Sequence, residues 1–448
     1  MRDSRAKRPA GVSRVKHVTA MLDRDKQVIE AVIRRFGPLS QEKIHALTHI
    51  RRSTTSRLVR ELLQEGRLLE AGRLNATGAM GRKQVLLRLN EDYRFIAGIE
   101  FDEESIVAAI LDLHPRIRQT VTEPTIRNGK EALVNQLLSS TKRALHEAGL
   151  GTSSLAGIGI ADPGLVDSRR GVTVTSSTIE FWRDVPLKAI FEEEFGVPTF
   201  VEDATRARAV AERMLGAGNF QENMIYIEYG AGIGAGIVLN GKLLLGYNGA
   251  AGEFGHTHIM ESGPACKCGS IGCLEAVAGA HAVEAKIRKA IAEGGTSLAL
   301  ELVGGSPEKI SVWTVLEAAR LGDKISSHIV TEIGARLGLG LANLVNLFNP
   351  AAVILDRRLE LAGPELLDQI VGVVKRQALT YNAANAAFRF AQLGREAGIL
   401  GVALILLEKH FEIPMLKPPR FMIEPVPVGL EEAGACETAS VAELVHGD

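Results

Sequence analysis

The sequence predicts an α/β protein whose N-terminal part is a winged helix-turn-helix. Three observations predict this class. Short helical segments separated by turns and followed by two strands fill residues 25–90. From Phe95 onwards, strand patterns alternate with helix patterns, and such alternation is typical of layered α/β sheets. Glycines cluster at the predicted turns rather than in a fibrous repeat.

The first segment contains three predicted helices. An apolar stripe that begins near Asp25 predicts a helix, and Gly37-Pro38 is expected to end it. Leu39-Ser40 is expected to open a short second helix with Ser40 as its N-cap. After a break at residues 48–50, leucines at helical spacing predict a third helix that Gly66 closes. Helix, short turn, helix is the helix-turn-helix pattern.

Two short strands should follow these helices. They are Leu68-Leu69-Glu70 and residues 85–89, and the glycine-rich loop between them predicts a hairpin wing. In the body, the sequence predicts a hairpin of IAGIEF and IVAAILDL, then a helix, then the buried strand LAGIGIAD. Further predictions are the strand PTFVED before a helix, two strands around a glycine turn at 224–246, and a long helix before the strand AAVILD.

Composition and charge exclude several classes of protein. No stretch of 18 apolar residues predicts a membrane span, and the basic N-terminus has no apolar core that would predict a secretory signal. Four cysteines in 448 residues are too few for a disulfide framework, so a reducing cytoplasm is expected. Residues 1–90 have a net charge of +12 and the remainder has −13, which predicts a polyanion-binding N-terminal part on an acidic body.

One segment has the spacing of a metal site. His256 precedes Cys266, Cys268 and Cys273 in a glycine-rich loop, and one imidazole with three thiolates suits a closed, tetrahedral structural Zn²⁺ site. Gly269 and Gly272 should let this loop fold tightly. The alternative is three free thiols. A redox pair is disfavoured because Cys-x-x-Cys is absent.

This segment also resembles a known family. Gly-His, nine residues, then Cys-x-Cys-Gly-x-x-Gly-Cys-x-Glu is similar to the signature of the ROK family, named for repressors, open reading frames and sugar kinases. GIGIADPGLVD, AGEFGH and GLGLANLVNLFNPAAVIL resemble further landmarks, and RRSTTSR resembles the helix-turn-helix of the repressor branch. The resemblance implies a two-lobed, actin-like (ribonuclease H-like) sugar-kinase fold and a homodimer or homotetramer.

From these observations we expect four regions. They are a basic N-terminal tail at 1–22, a winged helix-turn-helix at 23–90, a two-lobed body with a zinc loop at 91–410 and a proline-rich acidic tail at 411–448.

The phosphotransfer residues of the family's kinases are not matched in this chain. Glu-Asn-Asp-Ala-Asn of those kinases aligns without gaps with residues 202–206, so the catalytic base falls on Ala204. The first phosphate loop, Asp-x-Gly-Gly-Thr in kinases, is residues 100–104 with no glycine, and Ala231 replaces a threonine. Asp356-Arg357-Arg358 stands where a glycine run is expected. We therefore expect no sugar kinase activity.

The family's sugar site is matched in part. Glu253, His256 and Glu275 match positions that contact sugar hydroxyls in relatives, although they could equally be present because they support the zinc loop. Asp203 and Arg206 replace two asparagines, and Thr178 lies in a segment that differs from the usual Ser-Pro-Asn. One hypothesis is a sugar derivative whose anionic group pairs with Arg206.

The third helix has the residues expected of a DNA-recognition helix. Its N-terminal residues should reach base edges or phosphates in the major groove, and a wing arginine should enter the minor groove. Protein contact is the alternative use of a winged helix. The candidate DNA-binding residues are Arg51, Arg52, Ser53, Thr54, Thr55, Arg57, Arg82 and Lys83.

Together, these features predict a transcriptional regulator of carbohydrate-related genes, with a repressor favoured over an activator. The expected partners are double-stranded operator DNA, a sugar or sugar-derivative effector, and a protein partner. Two alternatives stay open: a sugar kinase with an added DNA-binding domain, and a DNA-binding dimer without a small-molecule effector.

Overall fold

The computed structural model describes residues 10–74 and 84–411, and of these it does not describe the side chains of 10–22 and 410. The predicted C-terminal tail therefore lies outside the described residues apart from Phe411. Two compact units are present, the first mainly residues 1–95 and the second mainly 96–406. No helix in the described ranges is both long and apolar enough to cross a membrane.

The first unit is a three-helix winged fold. Its elements are α1 (Ala10–Phe36), β1 (Leu39–Ser40), α2 (Gln41–Thr48), α3 (Arg52–Gln64), β2 (Leu68–Leu74) and β3 (Gln84–Leu89). The strands form one antiparallel sheet in the order β1-β3-β2. Its core consists of aliphatic side chains from all three helices and all three strands, including Ile33, Ile44, Leu58 and Leu87.

Two details of this unit differ from the prediction. α1 begins at Ala10 rather than near Asp25, so its backbone runs through part of the expected tail. Gly11 is the one glycine in residues 10–22 and no proline is present there, so nothing in that stretch opposes a helix. Leu39 and Ser40 form a short strand against β3 instead of the first helical residues. Ser40 is nevertheless the N-cap of α2, as predicted, and its Oγ accepts from the Lys43 N–H at 3.3 Å.

The second unit contains two lobes. The first lobe comprises β4 (Phe95–Phe101), β5 (Ser105–Leu111), β6 (Ile117–Pro124), α4 (Lys130–Glu147), β7 (Leu155–Asp162), β8 (Leu165–Asp167), β9 (Val172–Thr175), β10 (Arg183–Val185), α5 (Leu187–Phe195), β11 (Thr199–Asp203) and α6 (Ala204–Leu215).

The second lobe follows directly in the chain. It comprises β12 (Met224–Tyr229), β13 (Ile233–Leu239), β14 (Lys242–Leu243), α7 (Leu274–Ala278), α8 (Ala280–Ala292), α9 (Leu298–Leu302), α10 (Val312–Arg320), α11 (Lys324–Phe348), β15 (Ala352–Leu355), α12 (Pro364–Gln377), α13 (Thr380–Asn385) and β16 (Ala387–Phe390). The last helix, α14 (Ala397–His410), ends the described part.

Each lobe is built on a five-stranded sheet of the same design. The orders are β11-β7-β4-β5-β6 and β14-β13-β12-β15-β16. In each sheet, the three strands that come first in the chain, β4–β6 and β12–β14, form an antiparallel meander. The two strands that come later in the chain, β7 with β11 and β15 with β16, are parallel to each other and lie beside the first strand of the meander. The predicted fold class, a winged helix-turn-helix followed by a two-lobed α/β body of actin-like type, is confirmed. The predicted buried strand is β7, in which every residue is buried.

Candidate functional site

The helix-turn-helix is formed by α2 and α3. Local hydrogen bonds fix the turn between them. The Thr48 hydroxyl donates to the Ile44 carbonyl, and the Thr55 hydroxyl donates to the carbonyls of Ile50 and Arg51. His49 takes a left-handed conformation with φ of 56° and ends α2. The first turn of α3 is thereby held in one orientation.

This first turn presents a cationic face to solvent. Arg51, Arg52, Ser53 and Arg57 are exposed and Thr54 is half-buried. Arg52 lies 3.7 Å from Glu42 and Arg57 lies 2.8 Å from Glu61, and the four side chains are between 34% and 75% exposed. Exposed pairs of this kind are weak, so an external anion can compete for these guanidinium groups.

One predicted DNA-binding residue is wrong. Thr55 is 1% exposed, and its hydroxyl is used by two backbone carbonyls. The helical spacing places Thr55 in line with Leu58, Val59 and Leu62, which are the buried residues of α3. Thr55 therefore belongs to the core of the first unit.

Two further residues extend this face. Ser56 and Arg60 are exposed on α3, and Arg60 has no ion-pair partner among the described residues. Sequence reasoning missed Arg60 because it considered the first turn alone, although Arg60 follows Arg57 at the i+3 spacing of one helix face. Arg82 and Lys83, the predicted wing residues, lie outside the described residues.

The four predicted metal ligands are brought together. His256, Cys266, Cys268 and Cys273 offer ligand atoms that all lie within 4.8 Å of one another. His256 Nδ1 and Cys266 Sγ are 3.5 Å apart, and the sulfurs of Cys268 and Cys273 are 3.8 Å apart. Ligands of a tetrahedral Zn²⁺ at ordinary bond lengths are separated by about 3.6 Å for nitrogen and sulfur and about 3.8 Å for two sulfurs. The donor set and its spacing therefore fit a four-coordinate metal ion.

The loop that holds these ligands depends on glycine as predicted. Gly269 and Gly272 have φ of 92° and 69°, and a Cβ at Gly272 would lie 1.8 Å from the Met260 carbonyl oxygen. Burial raises the pKa of Cys273 to about 11, whereas hydrogen bonding from the Ser270 backbone lowers the pKa of Cys268. A bound divalent cation would compensate the charge of the thiolates that it needs.

A cavity of about 400 Å³ lies in the second unit, and both lobes contribute to its wall. The first lobe contributes the end of β4, the segment after β7 and the start of α6. The second lobe contributes the β12–β13 turn, the segment 251–256, Glu275 and Arg358. The predicted ligand residues Thr178, Asp203, Glu253, His256 and Glu275 all line it.

The segment aligned with the kinase base lies at this wall. Asp203 and Ala204 both line the cavity. Adjacent residues of a strand point to opposite sides, but this alternation does not apply here because α6 begins at Ala204 and Asp203 is its N-cap. Asp203 accepts from the Arg206 N–H at 2.9 Å, and burial raises its pKa to about 7. The methyl group of Ala204 cannot accept a proton.

His256 connects the cavity to the metal cluster. Its Nδ1 faces Cys266, and its ring also lines the cavity. Glu253 lies beside it, and burial raises the pKa of Glu253 while the neighbouring His256 opposes that rise. Glu275 is tied to the β12–β13 turn because its Oε2 accepts from the Ile233 N–H at 3.1 Å. His256 is therefore shared by the metal-ligand cluster and the cavity wall.

Arg206 does not face the cavity, so its predicted role as a ligand-binding residue is wrong. Its side chain is 3% exposed and pairs with Glu202 at 2.7 Å. The guanidinium also donates to the backbone carbonyls of Val166, Gly249 and Ala251. On a helix that starts at Ala204, this position lies on the buried face, where the side chain holds β8 and the loop 249–251 against α6 instead of reaching a ligand.

A chain of ion pairs also lies along the cavity, and sequence reasoning missed its central members. Arg208 on α6 pairs with Glu100 of β4 at 2.6 Å and with Glu228 of β12. Arg358 pairs with Glu228 at 3.1 Å and with Asp356 at 2.7 Å, and it lies 4.4 Å from the centre of the Trp313 ring. Burial lowers the pKa of Arg208, but the neighbouring carboxylates outweigh this effect and hold the pKa well above its usual value. Arg208 and Glu228 are far apart in sequence, so no local pattern could have paired them.

Comparison with known proteins gives consistent matches. The model of the ROK family matches residues 96–409. A xylose repressor of Caldicellulosiruptor bescii is 29% identical over 377 residues, which are 84% of this chain and 93% of the repressor.

Two solved structures are also similar. A ROK family glucokinase from Streptomyces griseus, solved in complex with glucose and AMPPNP, is 31% identical, with a TM-score of 0.61 over 69% of this chain and 98% of that one. A ROK family transcriptional regulator described as a homolog of the E. coli MLC protein matches 87% of this chain and 96% of its own, with a TM-score of 0.75 and 24% identity, and so supports the fold.

Proposed function

The chain belongs to the ROK family, and from this premise we propose that it is a DNA-binding transcriptional repressor of sugar-related genes. In this proposal, residues 23–90 bind operator DNA and residues 91–410 form a sensing and oligomerisation body derived from a sugar-kinase scaffold. Residues 1–22 and 411–448 flank these two parts. The similarity to a xylose repressor over 84% of the chain supports this assignment.

The exposed cationic face of α3 is the observation on which DNA binding depends. Arg51, Arg52, Arg57 and Arg60 all reach solvent from one helix of a helix-turn-helix. Guanidinium groups at this place pair with phosphates and with guanine edges in the major groove. Arg82 and Lys83 of the wing would add minor-groove and phosphate contacts.

Operator retention tests this function. DNA fragments from the chain's own promoter region are titrated with the full protein in a mobility-shift assay. We expect Arg51→Ala together with Arg52→Ala to weaken binding by about 100-fold or more, because each such contact contributes roughly 1–3 kcal/mol. Glu104→Gln, an exposed substitution in the second unit, is the control and should bind normally. Equal retention by the double variant at moderate salt would contradict DNA binding through α3.

We propose that the body does not transfer phosphate. Ala204 stands where the family's kinases have a base, and the pairs Glu100–Arg208 and Glu228–Arg358 occupy the cavity wall with side chains. Phosphoryl transfer requires positioned donors around the nucleotide phosphates, whereas these guanidinium groups are already held by carboxylates. A coupled ATP-hydrolysis assay with a panel of sugars should give no sugar-dependent rate. A measurable rate would favour the alternative of a sugar kinase with an added DNA-binding domain.

We further propose that the cavity binds a monosaccharide effector. Thr178, Asp203, Glu253, His256 and Glu275 supply hydroxyl, carboxylate and imidazole groups suited to sugar hydroxyls. Ligand binding would shift the equilibrium between lobe arrangements and so change the spacing of two DNA-binding units on a palindromic operator. This mechanism requires a homodimer or homotetramer, which analytical ultracentrifugation would detect. Absence of any sugar-induced thermal shift would favour the third alternative, a DNA-binding dimer without a small-molecule effector.

A structural Zn²⁺ held by His256, Cys266, Cys268 and Cys273 completes the proposal. Such an ion would fix the loop 256–273 and keep the His256 ring at the cavity wall. Metal analysis should find one zinc per chain, and Cys268→Ser together with Cys273→Ser should abolish it and lower the melting temperature. Ser270→Ala, in the same loop, is the control and should retain the zinc. Absence of zinc from both the unsubstituted protein and the Ser270→Ala control would contradict the site.

A further inference from the structure

The start of α2 lies next to the base of the wing. Ser40 of β1 is the antiparallel partner of Leu86 of β3, and α2 begins directly after Ser40. This short strand brings the first turn of α2, which contains Glu42, to Gln84, the first residue of β3. Because β1 was not among the predicted elements, the sequence could not relate Glu42 to Gln84.

The carboxylate of Glu42 uses its two oxygens for two different elements. Oε2 accepts a hydrogen bond from Gln84 Nε2 at 2.8 Å, and Oε1 lies 3.7 Å from the Arg52 guanidinium at the start of α3. Next to it, Gln41 Oε1 accepts from the Ser56 hydroxyl of α3 at 3.0 Å. One side chain of α2 therefore contacts both the helix proposed to read DNA and the strand that follows the wing loop.

A carboxylate at this place affects two kinds of DNA binding differently. Glu42 is 60% exposed and Arg52 is 75% exposed, so phosphates of any duplex can approach both side chains. Binding to DNA of any sequence depends on phosphates that are neutralised by cationic side chains, and the negative charge of Glu42 opposes it. Base reading depends instead on side chains that are held in register with the groove.

We propose that Glu42 is a specificity-determining residue, which positions Arg52 and the base of the wing for the operator and lowers the affinity for other DNA. This inference rests on the proposed operator-binding function and assigns α2 a part in it. In the free protein, Glu42 restricts the conformations of Arg52 and Gln84, so less conformational entropy is lost when α3 and the wing bind their operator. At other sequences this advantage is absent, and the repulsion between Glu42 and the phosphates remains.

Fluorescence anisotropy with two DNA probes tests the proposal. The full chain is titrated with a fragment of its own promoter region and with a shuffled fragment of the same length and base composition. We expect Glu42→Ala to bind the promoter fragment about threefold more weakly and the shuffled fragment about threefold more tightly, so their affinity ratio falls about tenfold. Glu70→Ala, which removes an exposed carboxylate from β2 of the same unit, is the matched control. It should change both affinities by the same factor and keep the ratio.

Two further variants separate the contacts of Glu42. Glu42→Gln keeps an acceptor for Gln84 but loses the charge beside Arg52, so binding of the shuffled fragment should increase while binding of the promoter fragment changes little. Gln84→Ala keeps that charge and removes the hydrogen bond, so only binding of the promoter fragment should weaken. Gln84→Ala added to Glu42→Ala should have no additional effect, because the hydrogen bond is already lost.

The direction of the two affinity changes decides between the possible roles of Glu42. If Glu42→Ala raised both affinities by the factor found for Glu70→Ala, Glu42 would contribute charge alone and the inference would be wrong. An equal loss of both affinities would mean that Glu42 only stabilises α2, which would also overturn it. If the unsubstituted protein bound both fragments equally, operator recognition itself would be contradicted, and the proposed function would fail together with the inference.

Discussion

Arginines in the two units of this protein are used in opposite ways. On α3, Arg51, Arg52 and Arg60 project into solvent with weak or no ion pairs among the described residues. In the body, Arg206 and Arg208 are held by buried or half-buried carboxylates. The same side chain is available to an external polyanion in one unit and is a structural crosslink in the other.

This difference shows that residue type alone does not identify an anion-binding site. The sequence suggests Arg206 as the partner of an anionic ligand because arginine replaces an asparagine three residues after Asp203. The carboxylate of Glu202, four residues earlier on β11, decides otherwise because it pairs with Arg206 at 2.7 Å. Only the positions of carboxylates in three dimensions determine whether a guanidinium is free to bind a ligand.

The largest expected effect tests the structural use of Arg206. Arg206→Ala should lower the free energy of unfolding by about 3–5 kcal/mol, because it leaves Glu202 buried without its partner and removes donors to three carbonyls. Urea unfolding measures the change.

The matched substitution in the first unit is Arg51→Ala. Arg51 is exposed, so its loss should change stability by about 0.5 kcal/mol or less while weakening operator binding. If both variants lost the same stability, the contrast between exposed and buried arginines would be wrong.

A second test uses adjacent threonines. Thr55→Val should destabilise the protein by about 1–1.5 kcal/mol, because the buried hydroxyl donates to the carbonyls of Ile50 and Arg51. Its operator affinity, calculated from the concentration of folded protein, should stay normal. Thr54→Ala should show the reverse, with normal stability and operator binding weakened severalfold. Mobility shifts and urea unfolding on both variants measure this, and loss of affinity in Thr55→Val without destabilisation would return Thr55 to the DNA-binding face.

Much of the fold could be predicted from the sequence because its signals are local. The N-cap Ser40, the ends of α1 and α3 at glycines, and the buried strand β7 all depend on neighbouring residues. The metal ligands could also be predicted, because three of the four lie within eight residues. Their approach to within 4.8 Å follows from glycines in the same loop.

What the sequence could not predict depends on distant partners. Glu100 and Arg208 lie on different elements, and no spacing along the chain relates them. The polar residues at the start of α3 suggest an exposed Thr55, although the phase of the helix puts Thr55 beside Leu58 and Leu62. For Arg206 the reason is different, since the orientation of α6 relative to the cavity is a tertiary property.

A last expected effect concerns the pH dependence of stability. Burial raises the pKa of Asp203 from 3.8 to about 7, so between these pH values the folded protein holds a proton that the unfolded chain has released. Folding is therefore favoured at low pH, and this contribution is lost as pH rises through about 7. Asp203→Asn has no such proton, so its melting temperature relative to the unsubstituted protein should rise between pH 5 and pH 8. The corresponding change in the free energy of unfolding should be roughly 1 kcal/mol, because solvent in the cavity screens the charge. Thermal unfolding at several pH values measures it, with Glu104→Gln as the control that should show no trend. If the difference in stability between Asp203→Asn and the unsubstituted protein did not change with pH, the pKa of Asp203 would not be raised in the folded protein. The carboxylate of Asp203 would then be stabilised by its surroundings, as the arginines of the body are.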